Sequence, residues 1–225
     1  MPPPPIGAEI AGWIEHTLLK PEATAAQVKV LCQEALQYHF ASVCVNPAYV
    51  TLVSALLSGS PVKTCAVVGF PLGATLPTQK VVETLACLEN GAVEIDMVIN
   101  IGAMKGEAYG LVYNEVQTIA QVVHNQRAVV KVILETALLR RKEKIIACLV
   151  CKAAGVDFVK TSTGFGPGGA TVEDVDLIYR LVGPQVRVKA SGGIRSLETA
   201  LAMIRAGATR LGTSSGVQIV KEAVA

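Results

Sequence analysis

Lys160 and Lys189 each close a short apolar run that opens onto glycine and hydroxyl residues. The two segments are Val156-Asp157-Phe158-Val159-Lys160-Thr161-Ser162-Thr163-Gly164 and Val186-Arg187-Val188-Lys189-Ala190-Ser191-Gly192-Gly193. A lysine inside an apolar strand must find a partner or give up its charge, because an unpaired ammonium is expensive to bury. An amine without its proton is a nucleophile, and on a carbonyl carbon it forms a Schiff base. A free lysine has a pKa of about 10.4 and must fall by about three units to act near neutral pH, which is about 4 kcal/mol. A second ammonium about 4 Å away supplies roughly that much repulsion at an effective dielectric of about 20. A protonated Lys189 is therefore expected to hold Lys160 neutral. The imine formed there would acidify the adjacent carbon, with Asp96 moving the protons through a water. The resulting enamine is a carbon nucleophile, which makes an aldol reaction the natural class.

Such chemistry needs separate strands brought to one place. A helical pattern ends at glycine and an aliphatic strand follows at once at Asn90-Gly91, Ala154-Gly155 and Ala206-Gly207, and glycine accepts the left-handed conformation that ends a helix. Strand candidates fall at residues 13–18, 40–46, 62–70, 93–100, 128–135, 156–163, 186–192 and 209–214. Helical patterns lie between them, including 24–38, 77–90, 107–124, 140–154 and 171–182. Strict alternation implies a parallel sheet covered by helices. Eight units in one domain of this length predict an α/β fold closed as a TIM (β/α)8 barrel. The rival is an open doubly wound sheet, but no Gly-x-Gly-x-x-Gly turn follows the first strand.

Strand parity sharpens the expectation, since successive side chains point to opposite faces. Ile95, Met97 and Ile99 oppose Glu94, Asp96 and Asn100; Val130, Val132 and Leu134 oppose Lys131 and Glu135; Val43 and Val45 oppose Ser42, Cys44 and Asn46. The apolar parity should meet the helices, and the polar parity should bring Asp96, Lys131, Lys160 and Lys189 together inside the barrel.

Anion binding is the second expected element. Ser191-Gly192-Gly193 follows the seventh strand, and Gly212-Thr213-Ser214-Ser215-Gly216 follows the eighth. Barrels often bind phosphate there, with backbone amides and a helix start. The run Gly164-Phe165-Gly166-Pro167-Gly168-Gly169 is placed to close over the same region.

Composition bounds the alternatives. Hydrophobic residues make up 51% of the 225 and charged residues 17%, which excludes disorder. Aromatics at 4% and a net charge of +2 speak against nucleic acid as a partner. Residues 1–11 read as a flexible Pro-rich tail without signal-peptide character, and residues 12–225 as the barrel domain. The uncharged stretch at residues 44–62 is broken by Asn46-Pro47 and Ser58-Gly59-Ser60-Pro61 and makes a poor membrane span. A cytoplasmic protein without membrane contact is expected. The six cysteines lie mostly in apolar runs, as reduced thiols do. Cys148 and Cys151 have metal-ligand spacing but no second pair, so two core residues on one helix face is the better reading. His39 and His124 read as solvated and Trp13 as core packing. His16, beside Thr17, is left open between the site and the scaffold.

The segments His16-Thr17-Leu18-Leu19-Lys20-Pro21, Val43-Cys44-Val45-Asn46-Pro47, Glu94-Ile95-Asp96-Met97-Val98-Ile99-Asn100, Lys131-Val132-Ile133-Leu134-Glu135-Thr136 and the two lysine motifs, in this order from about residue 12 onward, resemble the deoxyribose-phosphate aldolase family. The resemblance implies a class I, metal-free and cofactor-free aldolase on a TIM barrel. Such an enzyme reversibly splits 2-deoxy-D-ribose 5-phosphate into acetaldehyde and D-glyceraldehyde 3-phosphate, and works as a homodimer or homotetramer. It also implies that Lys160 is the Schiff-base lysine, Lys189 the second lysine and Asp96 the proton donor and acceptor. Thr17, Cys44, Lys131, Thr163, Gly164, Gly192, Gly193, Ser214 and Ser215 would surround the substrate and its phosphate, with a small core filler as the alternative for Cys44. Some members carry a lysine where this chain has Phe165, and some end in a tyrosine, whereas none follows Tyr179 here. The rival readings are a transaldolase-like or keto-acid aldolase and a sugar-phosphate-binding protein without turnover.

Overall fold

Alternation of polar and apolar residues along eight short strands decides the architecture, because a closed barrel can bury both faces of each strand. The computed structural model describes residue 5 and residues 7–225. Its strands are β1 (Ile14–Leu18), β2 (Ser42–Val45), β3 (Lys63–Val68), β4 (Glu94–Val98), β5 (Val129–Ile133), β6 (Phe158–Lys160), β7 (Arg187–Ser191) and β8 (Arg210–Thr213). They pair in parallel and in sequence order, and β1 closes the ring on β8 through Ile14 opposite Leu211 and His16 opposite Thr213. The expected (β/α)8 barrel is present.

The helices are α1 (Ala25–Tyr38), α2 (Val50–Leu56), α3 (Pro77–Glu89), α4 (Ile101–Lys105), α5 (Tyr109–Asn125), α6 (Arg141–Ala153), α7 (Val172–Val182), α8 (Leu197–Arg205) and α9 (Gly216–Val224). Their starts follow local chemistry. Thr24 and Gln27 form a reciprocal capping box at α1, Pro77 opens α3, and the Thr171 and Ser196 hydroxyls cap α7 and α8. The pattern placed at 107–124 is α5, and the short α4 precedes it as a separate helix, with Glu107 in the left-handed region at φ 59° between them. The glycine punctuation has a packing reason as well. A Cβ on Gly91 would lie 2.1 Å from Ser54 Oγ, and one on Gly207 would lie 2.5 Å from Tyr179 Cγ, both at positive φ.

Two apolar zones result. The larger lies between strands and helices, where Val43, Val45, Ile95, Met97, Val130 and Val132 meet residues such as Val28, Val53, Val116, Ile119 and Ile178. Each fully buried aliphatic side chain contributes about 1.5–3 kcal/mol. The smaller zone, Leu19, Cys44, Cys65 and Val67 with Phe70, lies apart from it among residues of the opposite strand parity. Cys148 and Cys151 are both buried on α6, as core residues.

The proposed boundary at residue 12 moves. Residues 1–4 and 6 lie outside the described residues, but Gly7–Trp13 forms a 3-10 turn that buries Ile10 and Ala11 in the larger zone. Two apolar side chains at the end of the expected tail are thus part of the domain. No helix among the described residues is long and apolar enough to cross a membrane.

Candidate active site

Asp96 on β4 is the hub of the barrel interior. Its Oδ1 accepts from Lys131 Nζ at 2.9 Å, and its Oδ2 accepts from both Lys160 Nζ at 2.6 Å and Lys189 Nζ at 2.5 Å. The nitrogens of Lys160 and Lys189 share one oxygen, so they stand no farther apart than the sum of those two distances. The four residues that strand parity placed together are therefore in contact.

Two further carboxylates join them, and sequence reasoning did not single either out as a site residue. Glu15 on β1 pairs with Lys131 at 3.1 Å and, more closely, with Lys189, and it accepts from Ser42 Oγ at 3.0 Å. Glu94 pairs with Lys131 at 2.7 Å and with Arg210 at 3.1 Å. Below Asp96 the Cys65 thiol lies 3.3 Å from Oδ1. Glu15, Cys44, Cys65 and Asp96 bring ligand-type atoms within 4.8 Å of one another. Lys131 and Lys189 already occupy the carboxylates of that set, so the cluster is closed by the protein's own cations.

These contacts correct the electrostatic expectation. Repulsion between two lysines is not the dominant force, because carboxylates stand between and beside them. Burial alone would strip Lys189 of its proton, but Asp96 and Glu15 outweigh burial and raise its pKa above the usual lysine value. Lys131 is held charged in the same way, against burial, chiefly by Asp96. Burial likewise opposes ionisation of Asp96, yet Lys131, Lys160 and Lys189 hold its carboxyl well below the usual range. Glu15 is depressed by Lys131 and Lys189 against both burial and Asp96.

A pH-dependent stability follows from the two depressed carboxyls. Their folded pKa values lie below the unfolded value of about 4, so their contribution is complete above that pH and is lost as pH falls through the window beneath it. Glu15→Gln removes one member of a buried network, at about 3–5 kcal/mol. For a chain of this size that lowers the thermal midpoint at pH 7 by roughly 6–20 °C. Scanning calorimetry should find this deficit at neutral pH and see it shrink below about pH 4. A midpoint unchanged at pH 7 would remove Glu15 from the network.

Above the cluster lies a cleft of about 380 Å³ at the carboxyl ends of the strands. Among the predicted residues it is lined by Lys160, Thr17, Thr163, Gly164, Gly192, Gly193 and Ser214. Lys131 and Cys44 are wholly buried and do not line it. Ser215 lines a neighbouring groove with His16 and Glu34, and it forms the N-cap of α9. His16 points toward the helices, where Nε2 meets Glu34 at 2.7 Å, because it is one residue out of phase with the inward Glu15 and Thr17.

Lys20 and Arg195 were not singled out by sequence, yet both line the cleft. Neither has an ion-pair partner among the described residues, and none of the lining residues is acidic. The signal that could have found them is position: each follows within a few residues of a strand's carboxyl end. Phe165 is 48% exposed and packs edge-on against Phe70, with ring centres 5.4 Å apart.

Residues 14–222 match the model of the DeoC/LacD family aldolases. The chain is 55% identical to the deoxyribose-phosphate aldolase of Clostridium tetani over 95% of this chain and 99% of that one. It is 56% identical to that of Thermococcus gammatolerans over 97% and 98%. The tetrameric deoxyribose phosphate aldolase of Aeropyrum pernix superposes with a TM-score of 0.89 at 39% identity, covering 95% of this chain and 90% of that one.

Proposed function

The chain belongs to the DeoC/LacD family of aldolases, and we propose that its Schiff base forms on Lys160, with Lys189 and Asp96 completing the catalytic set. It is a carbon–carbon lyase that reversibly cleaves 2-deoxy-D-ribose 5-phosphate to D-glyceraldehyde 3-phosphate and acetaldehyde. The observation that carries the assignment is the unequal placement of the three lysines. Lys131 and Lys189 have wholly buried side chains with two or more carboxylates each, whereas Lys160 touches Asp96 alone and reaches the cleft. Charge balance supports the same choice. Glu15, Glu94 and Asp96 are matched by Lys131, Lys189 and Arg210, so an uncharged Lys160 leaves the cluster neutral.

The steps follow from these positions. The Lys160 amine adds to the C1 aldehyde of the sugar phosphate, and loss of water gives the protonated imine. Removal of the proton from the C3 hydroxyl then breaks the C2–C3 bond, releasing glyceraldehyde 3-phosphate and leaving an enamine on Lys160. Protonation at C2 and hydrolysis release acetaldehyde and restore the amine. Asp96 Oδ2, 2.6 Å from Lys160 Nζ, is the carboxylate that takes and returns protons, through a water where the distance requires one. Lys189 stays charged and holds that oxygen in place, and Lys131 anchors the other oxygen from beneath. Cys44 is packing under the site.

At the far end of the cleft, Gly164, Gly192, Gly193 and Ser214 offer backbone and hydroxyl donors, close to the first turn of α9. Lys20 and Arg195 supply the positive charge that Phe165 does not. Thr17 lines the wall between the two ends. The active form is a homodimer or homotetramer; the tetrameric Aeropyrum pernix relative and the exposed Leu72, Leu76 and Val82 support this reading.

Acetaldehyde and borohydride test the assignment. The expected product is a single reduced two-carbon adduct on Lys160 by peptide mass spectrometry. No adduct, or one on another lysine, sinks it. Trapping by pyruvate instead would favour a keto-acid aldolase, and sugar phosphate bound but not cleaved would favour a binding protein.

A further inference from the structure

We infer that Glu135 is a positioning residue, holding the loop that follows Lys160 in its substrate-binding shape by way of Thr163. The inference rests on the reading of Lys160 as the imine lysine. Beyond the end of β5, Leu134 N donates to Lys160 O at 3.0 Å and Thr136 N donates to Thr161 O at 3.0 Å. Two residues advance on one strand against one on the next, so Glu135 is the extra residue of a bulge. Its backbone is left-handed, at φ 56° and ψ 64°, a conformation disfavoured for any residue with a Cβ. Bulges beside active sites re-aim a side chain, and this one turns a carboxylate beneath the neighbouring loop.

Both hydrogen bonds of that carboxylate among the described residues come from the loop. Glu135 is 2% exposed, its Oε2 accepts from the Thr163 amide at 3.2 Å and from the Thr163 hydroxyl, and that hydroxyl in turn accepts from Phe165 N at 3.0 Å. A Cβ on Gly166 would lie 2.7 Å from Glu135 Cδ, so the loop backbone rests directly on the carboxylate. The far end of the loop is pinned separately, where Ala170 N donates to Gly192 O at 3.0 Å. Glu135 Oε1 has no partner among the described residues. A buried carboxylate retained on a disfavoured backbone, with one oxygen committed wholly to Thr163, fixes where Gly164 stands above Lys160. The Thr163 hydroxyl is engaged on both sides, so it serves the substrate by shaping the loop.

Preorganised binding groups spend no ordering entropy when substrate arrives. Releasing the loop should therefore weaken binding of the phosphorylated sugar more than it slows chemistry at Lys160. Glu135→Ala and Thr163→Val are compared with Thr163→Ser, which keeps the hydroxyl. The readouts are cleavage kinetics and the rate of borohydride trapping with saturating acetaldehyde, which has no phosphate to place. Loss of a hydrogen bond to a charged acceptor corresponds to about a tenfold rise in KM, with kcat held within about threefold. Thr163→Ser should stay within about twofold of the parent, and the trapping rate should not move in any variant. Should Glu135→Ala not fold, the Thr163 pair decides alone. KM unmoved in Thr163→Val, or trapping falling in step with kcat, overturns the inference. Absence of trapping in the parent protein overturns the reading of Lys160 as well, so the two failures are distinguishable.

Discussion

Lys160→Met should abolish the borohydride adduct and lower kcat/KM for sugar-phosphate cleavage by about ten-thousandfold or more, the loss typical of removing a covalent nucleophile. Methionine keeps the length and apolar bulk of the side chain and deletes only the amine. The protein should nevertheless stay folded, with a thermal midpoint equal to or above that of the parent. Asp96 retains Lys131 at 2.9 Å and Lys189 at 2.5 Å, and Arg210 remains on Glu94, so three carboxylates still face three cations. Lys189→Met instead removes a charge and leaves Glu15 and Asp96 short of a partner that is fully buried, and it should lose stability as well as activity. Parallel melts and steady-state assays separate the two lysines. Cleavage above about one part in a thousand of the parent in Lys160→Met, against the loss expected for a nucleophile, would move the Schiff base elsewhere.

The barrel and its polar centre were legible because parity is a geometric rule: Asp96, Lys131, Lys160 and Lys189 occupy the inward phase of four strands and meet as that phase demands. Glu15 obeys the same rule on β1, yet it escaped notice because its strand was read for Thr17 and His16 alone. Matching each inward lysine with an inward carboxylate would have found both Glu15 and Glu94. What sequence could not supply is the left-handed turn at Glu135. That residue reads as one more polar position at a strand end, and only the slipped hydrogen bonds between the ends of β5 and β6 show that it points beneath the loop. Ser215 and His16 failed to join the cleft for the opposite reason, since one begins a helix and the other sits out of phase on its strand.

Asp96→Asn separates proton transfer from imine formation. The substitution leaves Lys131 with Glu15 and Glu94, leaves Lys189 with Glu15, and leaves Lys160 without a carboxylate. Stability should fall, because Lys131, Lys189 and Arg210 now share only two carboxylates, and breaking such a buried network costs about 3–5 kcal/mol. Lys160 keeps its place at the cleft and its amine in this variant, so trapping with acetaldehyde should persist. Cleavage should drop about a hundredfold to ten-thousandfold, since no group of matching placement can take the proton from the sugar hydroxyl or return one to the enamine. An intermediate that forms but does not turn over is the signature expected of this variant, seen as adduct on Lys160 after incubation with the sugar phosphate. If trapping and cleavage decline together, Asp96 serves only to hold the lysines, and the proton must travel by another route.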